Sequence, residues 1–366
     1  MDFCDLAPMH IGAIAPYQPG KPISELAREM GLQEESIIKL ASNENPLGVS
    51  RRAQHAIRRV LDGLARYPDG NGFELKQALS RRFGMDMDQI VLGNGSNDVL
   101  ELAARAFLTP GLSGIYSQHA FAVYPLAVQA TGAYGIEVPA TDFGHDLDAM
   151  LAAVRADTRL IFIANPNNPT GTYFEPKVFE RFIAAVPANV IVVLDEAYTE
   201  YLEPRLRADS FGWVRRHPNL IVTRTFSKVY GLAGLRVGYA VANAVVADLM
   251  NRVRQPFNVN SVSLAAAAAA LDDAEFVAES YELNRAGMKQ LTQGFAELHL
   301  QHIPSYGNFV TFSMEDAAAV FHRLLKAGVI VRPVASYGMP NFLRVTIGLG
   351  TENDRFLESL ERALVA

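Results

Sequence analysis

The sequence predicts an α/β fold in which a mostly parallel central sheet is covered by helices and joined to a smaller α+β domain. Three observations predict it. Short apolar or β-branched runs recur at 89–92, 160–164, 190–194 and 220–223, with the length and composition of buried strands. Helical patterns at 99–108, 146–154 and 176–185 fall between them, as crossover helices do when both faces of a parallel sheet are covered. The C-terminal stretch then changes character. A helix from about 275 to 299, strand candidates at 308–312 and 343–347 and a last helix at 353–364 suit antiparallel strands with helices on one side.

The chain has 366 residues and is 49% apolar, more than one core usually organises. We expect residues 1–40 to form an N-terminal arm and part of the small domain, 41–268 a large ligand-binding domain, and 269–366 the small C-terminal domain. The boundary falls within 265–274.

Taken in order, the arm carries Pro8, Pro16, Pro19 and Pro22 and is expected to be extended, because proline fixes φ and removes a donor. Arms of this kind often lie across a partner subunit. Gly93, Asn94, Gly95, Ser96, Asn97 and Asp98 precede the helix pattern at 99, and small residues there leave backbone amides free to grip a phosphate. The spacing is not a dinucleotide fingerprint: Asp98 stands where a glycine is needed, and no Walker lysine follows. The run 160–164 leads into Asn165, Pro166, Asn167, Asn168, Pro169, Thr170 and Gly171, a turn sequence that holds the Asn168 amide on a rigid loop. The unbroken apolar run 190–194 reads as a central strand with Asp195 at its end and Tyr198 three residues on. The run 220–223 leads to Thr225, Phe226, Ser227 and Lys228. The alanine-rich 264–271 is far shorter than the ~20 residues that cross a bilayer. It reads as a buried helix that Ser261 and Ser263 can cap.

Composition narrows the function classes. The net charge is −6, with 33 basic and 39 acidic side chains and no long basic run, which argues against nucleic acid as the main partner; Arg51 and Arg52 look like a solvated helix face. Cys4 is the single cysteine, so no internal disulfide forms and a reducing cytoplasm is expected. Asp2 and Asp5 stand where a signal peptide has its basic region. His299 and His302 lie in a strand-like stretch whose spacing faces opposite sides, and no HExxH occurs. No metal site or nucleophilic triad is expected.

Ligands of open α/β sheets bind outside the carboxyl ends of the strands, so the loops at Asn168, Asp195 and Lys228 are expected to converge on one crevice. Their residue types suit pyridoxal 5'-phosphate, which needs an amine for its Schiff base, a carboxylate for its pyridine nitrogen, and hydroxyls plus an arginine for its phosphate. Lys228 offers the amine, with desolvation lowering its pKa. Asp195 is the carboxylate, since a buried acid wants a cationic partner, although an Asp after a strand is also a common helix N-cap. Tyr198 and Asn168 are candidates for the ring's phenolate oxygen. Gly95, Ser96 and Asn97 with Thr225, Ser227 and Arg236 form the phosphate cup, where the guanidinium adds a bidentate contact.

Together with Ala41, Ser42, Asn43, Glu44, Asn45, Pro46 and with Arg66, Tyr67, Pro68, Asp69, Gly70, these motifs resemble the fold-type I pyridoxal-phosphate aminotransferases over nearly the whole chain. Within that family they are similar to the enzymes acting on histidinol phosphate. The resemblance implies that Lys228 moves the proton at the substrate α carbon, and that the family's dimers carry Tyr67 to the neighbour's cofactor phosphate. Phe121 stands at the ring-stacking position, commonly tyrosine, keeping the face but losing a hydroxyl; Tyr124 is either beside it or in the core. Arg344, Arg332, Tyr17 and Asn43 are implied to bind substrate, one anion site serving histidinol phosphate and a dicarboxylate in turn. The activity implied is transamination between histidinol phosphate and 2-oxoglutarate, in a cytoplasmic homodimer. An aromatic amino acid aminotransferase is the alternative.

Overall fold

The computed structural model describes residues 3–365. Strand β1 (Ile38–Lys39) stands apart from a seven-stranded sheet made of β2 (Ile90–Gly93), β3 (Ser113–Ser117), β4 (Tyr134–Val138), β5 (Thr158–Ala164), β6 (Ile191–Asp195), β7 (Leu220–Thr225) and β8 (Gly238–Val241). Their order is β2-β8-β7-β6-β5-β3-β4. Only β8 runs against its neighbours, so β2, β5, β6 and β7 all end at one edge.

Both faces of this sheet are buried, as the continuous apolar strands require. On β6, Val192 and Leu194 enter one apolar layer with Phe179, Phe211 and Trp213, whereas Val193 enters the opposite layer with Tyr124, Phe162 and Leu100. A second sheet of β9 (His302–Ile303), β10 (Phe309–Ser313), β12 (Arg332–Pro333) and β13 (Phe342–Thr346) is antiparallel. It packs through Phe312 onto Phe295 and Phe356 of the flanking helices. Strand β11 (Val329–Ile330) pairs in parallel with β1, tying the N-terminal segment to the C-terminal one. Among the described residues no helix is long and apolar enough to cross a membrane.

Three local expectations need correction. The proline-rich arm is not wholly extended: Met9–Gly12 and Ile23–Met30 are helical, starting directly after Pro8 and Pro22. Proline's fixed φ and missing N–H are tolerated at a helix start, so only residues 14–22 between them lack regular structure. The helix Ser261–Leu271 is capped by Asn260, whose side chain accepts from the Ser263 amide at 2.8 Å. Ser263 itself is buried and donates its hydroxyl to the Leu235 carbonyl. His299 closes the helix Ala274–Glu297 at φ 56° while His302 sits in β9, so the two do not share a strand.

Candidate active site

The strand ends at Ala164, Asp195 and Thr225, the loop before the helix Ser96–Phe107, and the facing second sheet enclose a cavity of about 200 Å³. Lys228, Asp195, Tyr198, Asn168, Thr225, Ser227, Ser96, Asn97, Phe121 and Arg236 line it, as do Tyr17, Asn43, Arg332 and Arg344.

Lys228 follows β7, and its Nζ donates to the Ser42 carbonyl at 3.2 Å. Burial, reinforced by the Arg344 and Arg236 charges and opposed by Glu44, lowers its pKa to about 7. A large share of this amine is therefore unprotonated at neutral pH, the state that attacks a carbonyl.

Asp195 is almost fully buried. Its Oδ2 accepts from the Tyr124 hydroxyl at 2.9 Å and its Oδ1 from the Thr223 hydroxyl at 3.1 Å. Burial raises its pKa to about 6 and these bonds restrain the rise. The backbone N–H of Ala197 also bonds this carboxylate, a local turn contact, while both of its oxygens face hydroxyls from neighbouring elements.

The Tyr198 hydroxyl accepts from Asn43 Nδ2 at 2.9 Å, and burial pushes its pKa up to about 12. Asn43, at φ 54°, is anchored from the second sheet through Thr346, whose hydroxyl accepts from its backbone N–H at 2.9 Å. Asn168 Oδ1 accepts from Arg344 Nη1, which orients the amide with Nδ2 as its donor.

Before the helix Ser96–Phe107, Gly95 has φ 84°, and a Cβ there would lie 2.4 Å from Arg236 Nη2, so glycine is the residue that lets the guanidinium reach the helix start. Arg236, itself at φ 56°, donates to the Ala233 carbonyl at 3.0 Å and to Ser227 Oγ at 3.4 Å. Asp98 is explained too: its carboxylate accepts from the Asn94 amide at 2.8 Å and from Asn258 Nδ2 at 2.7 Å, locking the loop.

Arg332 and Arg344 lie directly opposite one another on β12 and β13. Like charges so placed repel, both residues are nearly buried, and neither forms an ion pair among the described residues. Arg332 donates to the Gln18 carbonyl at 2.7 Å and the Tyr17 hydroxyl at 3.3 Å; Arg344 donates to the Ala41 carbonyl at 2.8 Å and keeps a buried Nε without a partner. The arrangement suits an anion.

Tyr67 is not brought to this cavity. It is exposed and stacks on Phe257 at 4.8 Å. Conversely, Thr223 and Tyr337 belong to the site's surroundings without a sequence signal that marks them, and Tyr124, open in the sequence between site and core, is in both. The period of two along β7 places Thr223, a hydroxyl in an apolar run, on the same face as Thr225, and the register with β6 sets it opposite Asp195.

The family model for class I and II aminotransferases matches residues 35–360, and the chain belongs to that family of enzymes. Among its relatives, the histidinol-phosphate aminotransferase of Methylobacillus flagellatus is 65% identical over 360 residues, covering 98% of each chain. Histidinol-phosphate aminotransferase 2 of Nitrosospira multiformis is 62% identical and covers 100% of this chain and 93% of its own. The crystal structure of histidinol-phosphate aminotransferase from Sinorhizobium meliloti, in complex with pyridoxal-5'-phosphate, superposes with a TM-score of 0.89 at 29% identity, covering 97% of this chain and 96% of that one.

Proposed function

We propose that this enzyme transfers an amino group between histidinol phosphate and 2-oxoglutarate, giving imidazole acetol phosphate and glutamate in histidine biosynthesis, with pyridoxal phosphate as cofactor. The observation that carries it is the opposed pair Arg332 and Arg344 facing the buried amine of Lys228 across one cavity. Full-length similarity to enzymes bearing that name adds the choice of substrate.

The residues present fit the cofactor. A buried carboxylate that is met by neutral donors and forms no ion pair among the described residues, Asp195, suits a protonated ring nitrogen. The Gly95 turn, with no room for a Cβ beside Arg236, suits a phosphate at the start of the helix Ser96–Phe107. When bound, pyridoxal phosphate supplies an electrophilic carbon for amine exchange and an electron-withdrawing ring. Asp195 would hold the ring nitrogen's proton, Tyr198 and Asn168 would donate to the phenolate oxygen, and Phe121 would cover the ring. Gly95, Ser96, Asn97, Thr225, Ser227 and Arg236 would hold the phosphate. Lys228 would take the proton from the substrate α carbon, while Arg332 and Arg344, with Tyr17 and Asn43, would bind the phosphate of one substrate and a carboxylate of the other.

The same proposal includes a cytoplasmic homodimer that brings Tyr67 of one protomer to its partner's phosphate site, which suits the exposure of Tyr67. It also divides the chain into residues 41–268, which hold the cofactor, and residues 1–40 with 269–366, which cover it. Mixing the holoenzyme separately with histidinol phosphate and with phenylalanine, and following its visible absorption, tests the substrate. Rapid change with histidinol phosphate alone is expected; an equal or faster change with phenylalanine would make it an aromatic aminotransferase. Lys228→Ala should abolish turnover without unfolding the chain, and full activity in that variant would overturn the reading.

A further inference from the structure

Tyr124 is fully buried in the layer beneath the cavity. Its ring lies flat on Phe162, with centroids 5.0 Å apart and planes at 3°, and edge-on to Phe121 at 5.8 Å and 86°. Two aromatic contacts leave the hydroxyl little freedom, and it points at Asp195 Oδ2, 2.9 Å away. We propose that Tyr124 is a positioning residue for the reaction: acting through Asp195, it keeps that carboxylate ionised and aimed at the ring nitrogen of the cofactor. This rests on the function proposed above.

A buried carboxylate is costly unless donors satisfy it, and a hydrogen bond to a charged group is worth more than a neutral one. Tyr124 and Thr223 supply one donor to each oxygen, so the carboxylate plane is set from two elements, the helix Val123–Ala130 and β7. The other ionisable groups that bear on Asp195 are Glu196, next in the chain, and Tyr198 and Lys228 in the cavity. Burial keeps the Tyr124 hydroxyl protonated far above its ordinary range, so it acts as a donor at every working pH. Finally, Phe121 lines the cavity and touches Tyr124, so the ring-covering side chain and the partner of the ring nitrogen are held by one rigid group.

Tyr124→Phe keeps the ring and its packing and deletes only the donor. In the holoenzyme carrying ¹⁵N-labelled pyridoxal phosphate, the ring-nitrogen resonance should move toward the unprotonated position. The acid limb of the kcat profile should move to higher pH by a roughly 10-fold change in proton affinity, the worth of one charge-assisted hydrogen bond. Turnover should fall roughly 10-fold or more, with KM for the amino donor within about threefold. A variant with the wild-type resonance and pH profile would overturn the proposal and leave Tyr124 a packing residue, even if its melting temperature fell. Should the variant not fold, the wild-type holoenzyme decides: an exchange-protected downfield hydroxyl proton at Tyr124 is expected, and its absence would overturn the proposal. Failure of the substrate assignment is separable, because the nitrogen resonance is read without substrate.

Discussion

Asp195 and Glu196 follow one another at the end of β6, so the period of the strand sends their side chains to opposite faces of the sheet. Their partners on β7 separate in the same way: Thr223 faces Asp195 and Arg224 faces Glu196. Glu196 Oε2 accepts from Arg224 Nε at 2.9 Å and Nη2 at 2.8 Å, and from the Ser210 hydroxyl at 2.8 Å. The guanidinium lies over the ring of Phe211 at 4.4 Å and that of Phe83 at 5.4 Å. That acid has its counter-charge within the protein and serves the fold. Asp195 is met by two hydroxyls and the backbone N–H of Ala197, with no guanidinium beside it, and burial holds its pKa near 6; its carboxylate is left free to take a cation. Two acids of equal sequence prominence are thus distinguished by whether the neighbouring strand offers a guanidinium or a hydroxyl.

The contrast can be broken most severely on the Asp195 side. Asp195→Asn keeps the shape but cannot pair with a cation, and kcat/KM should fall about 1000-fold, the upper range for losing a preorganised electrostatic partner. Steady-state kinetics within tenfold of wild type would remove the distinction. On the other face, Arg224→Met leaves Glu196 buried without its cation. It should cost about 3–5 kcal/mol of stability, read by urea unfolding, while kcat per folded enzyme stays within about threefold. A smaller effect sharpens the comparison through pH. In the cofactor-free protein Asp195 has a folded pKa of about 6 against an ordinary 3.8, so the folded state binds the extra proton between these values. Stability should then fall as pH rises through that window, by a few kcal/mol at about 1.4 kcal/mol per tenfold difference in proton affinity. Asp195→Asn should lack this component in matched unfolding titrations from pH 4 to 7, and identical curves for the two proteins would show that the carboxyl is not desolvated.

What was legible in the sequence was carried by local pattern. The helix Pro176–Ala185 and the strands β5 to β7 follow from apolar period and run length. The cavity residues Asn168, Asp195 and Lys228 follow because parallel strands end at a common edge. The N-terminal helices leave no clear sequence signal because proline suggests extension, whereas Pro8 and Pro22 sit at helix starts. Tyr124 was ambiguous because an aromatic residue in an apolar helix carries no mark of which strand its hydroxyl will meet.

By itself, then, the sequence determined the order of strands and helices, the glycine that must accept φ 84° before the helix at Ser96, and the motif residues at the strand ends. All of these depend on interactions within a few residues of chain. Only the tertiary structure decided that Arg332 stands opposite Arg344, that Asn43 reaches Tyr198 across 155 positions, and that Glu196 rather than Asp195 has a guanidinium partner. Those outcomes depend on strand register and on which face of the sheet each element covers, and both are set when the two apolar layers close on the sheet.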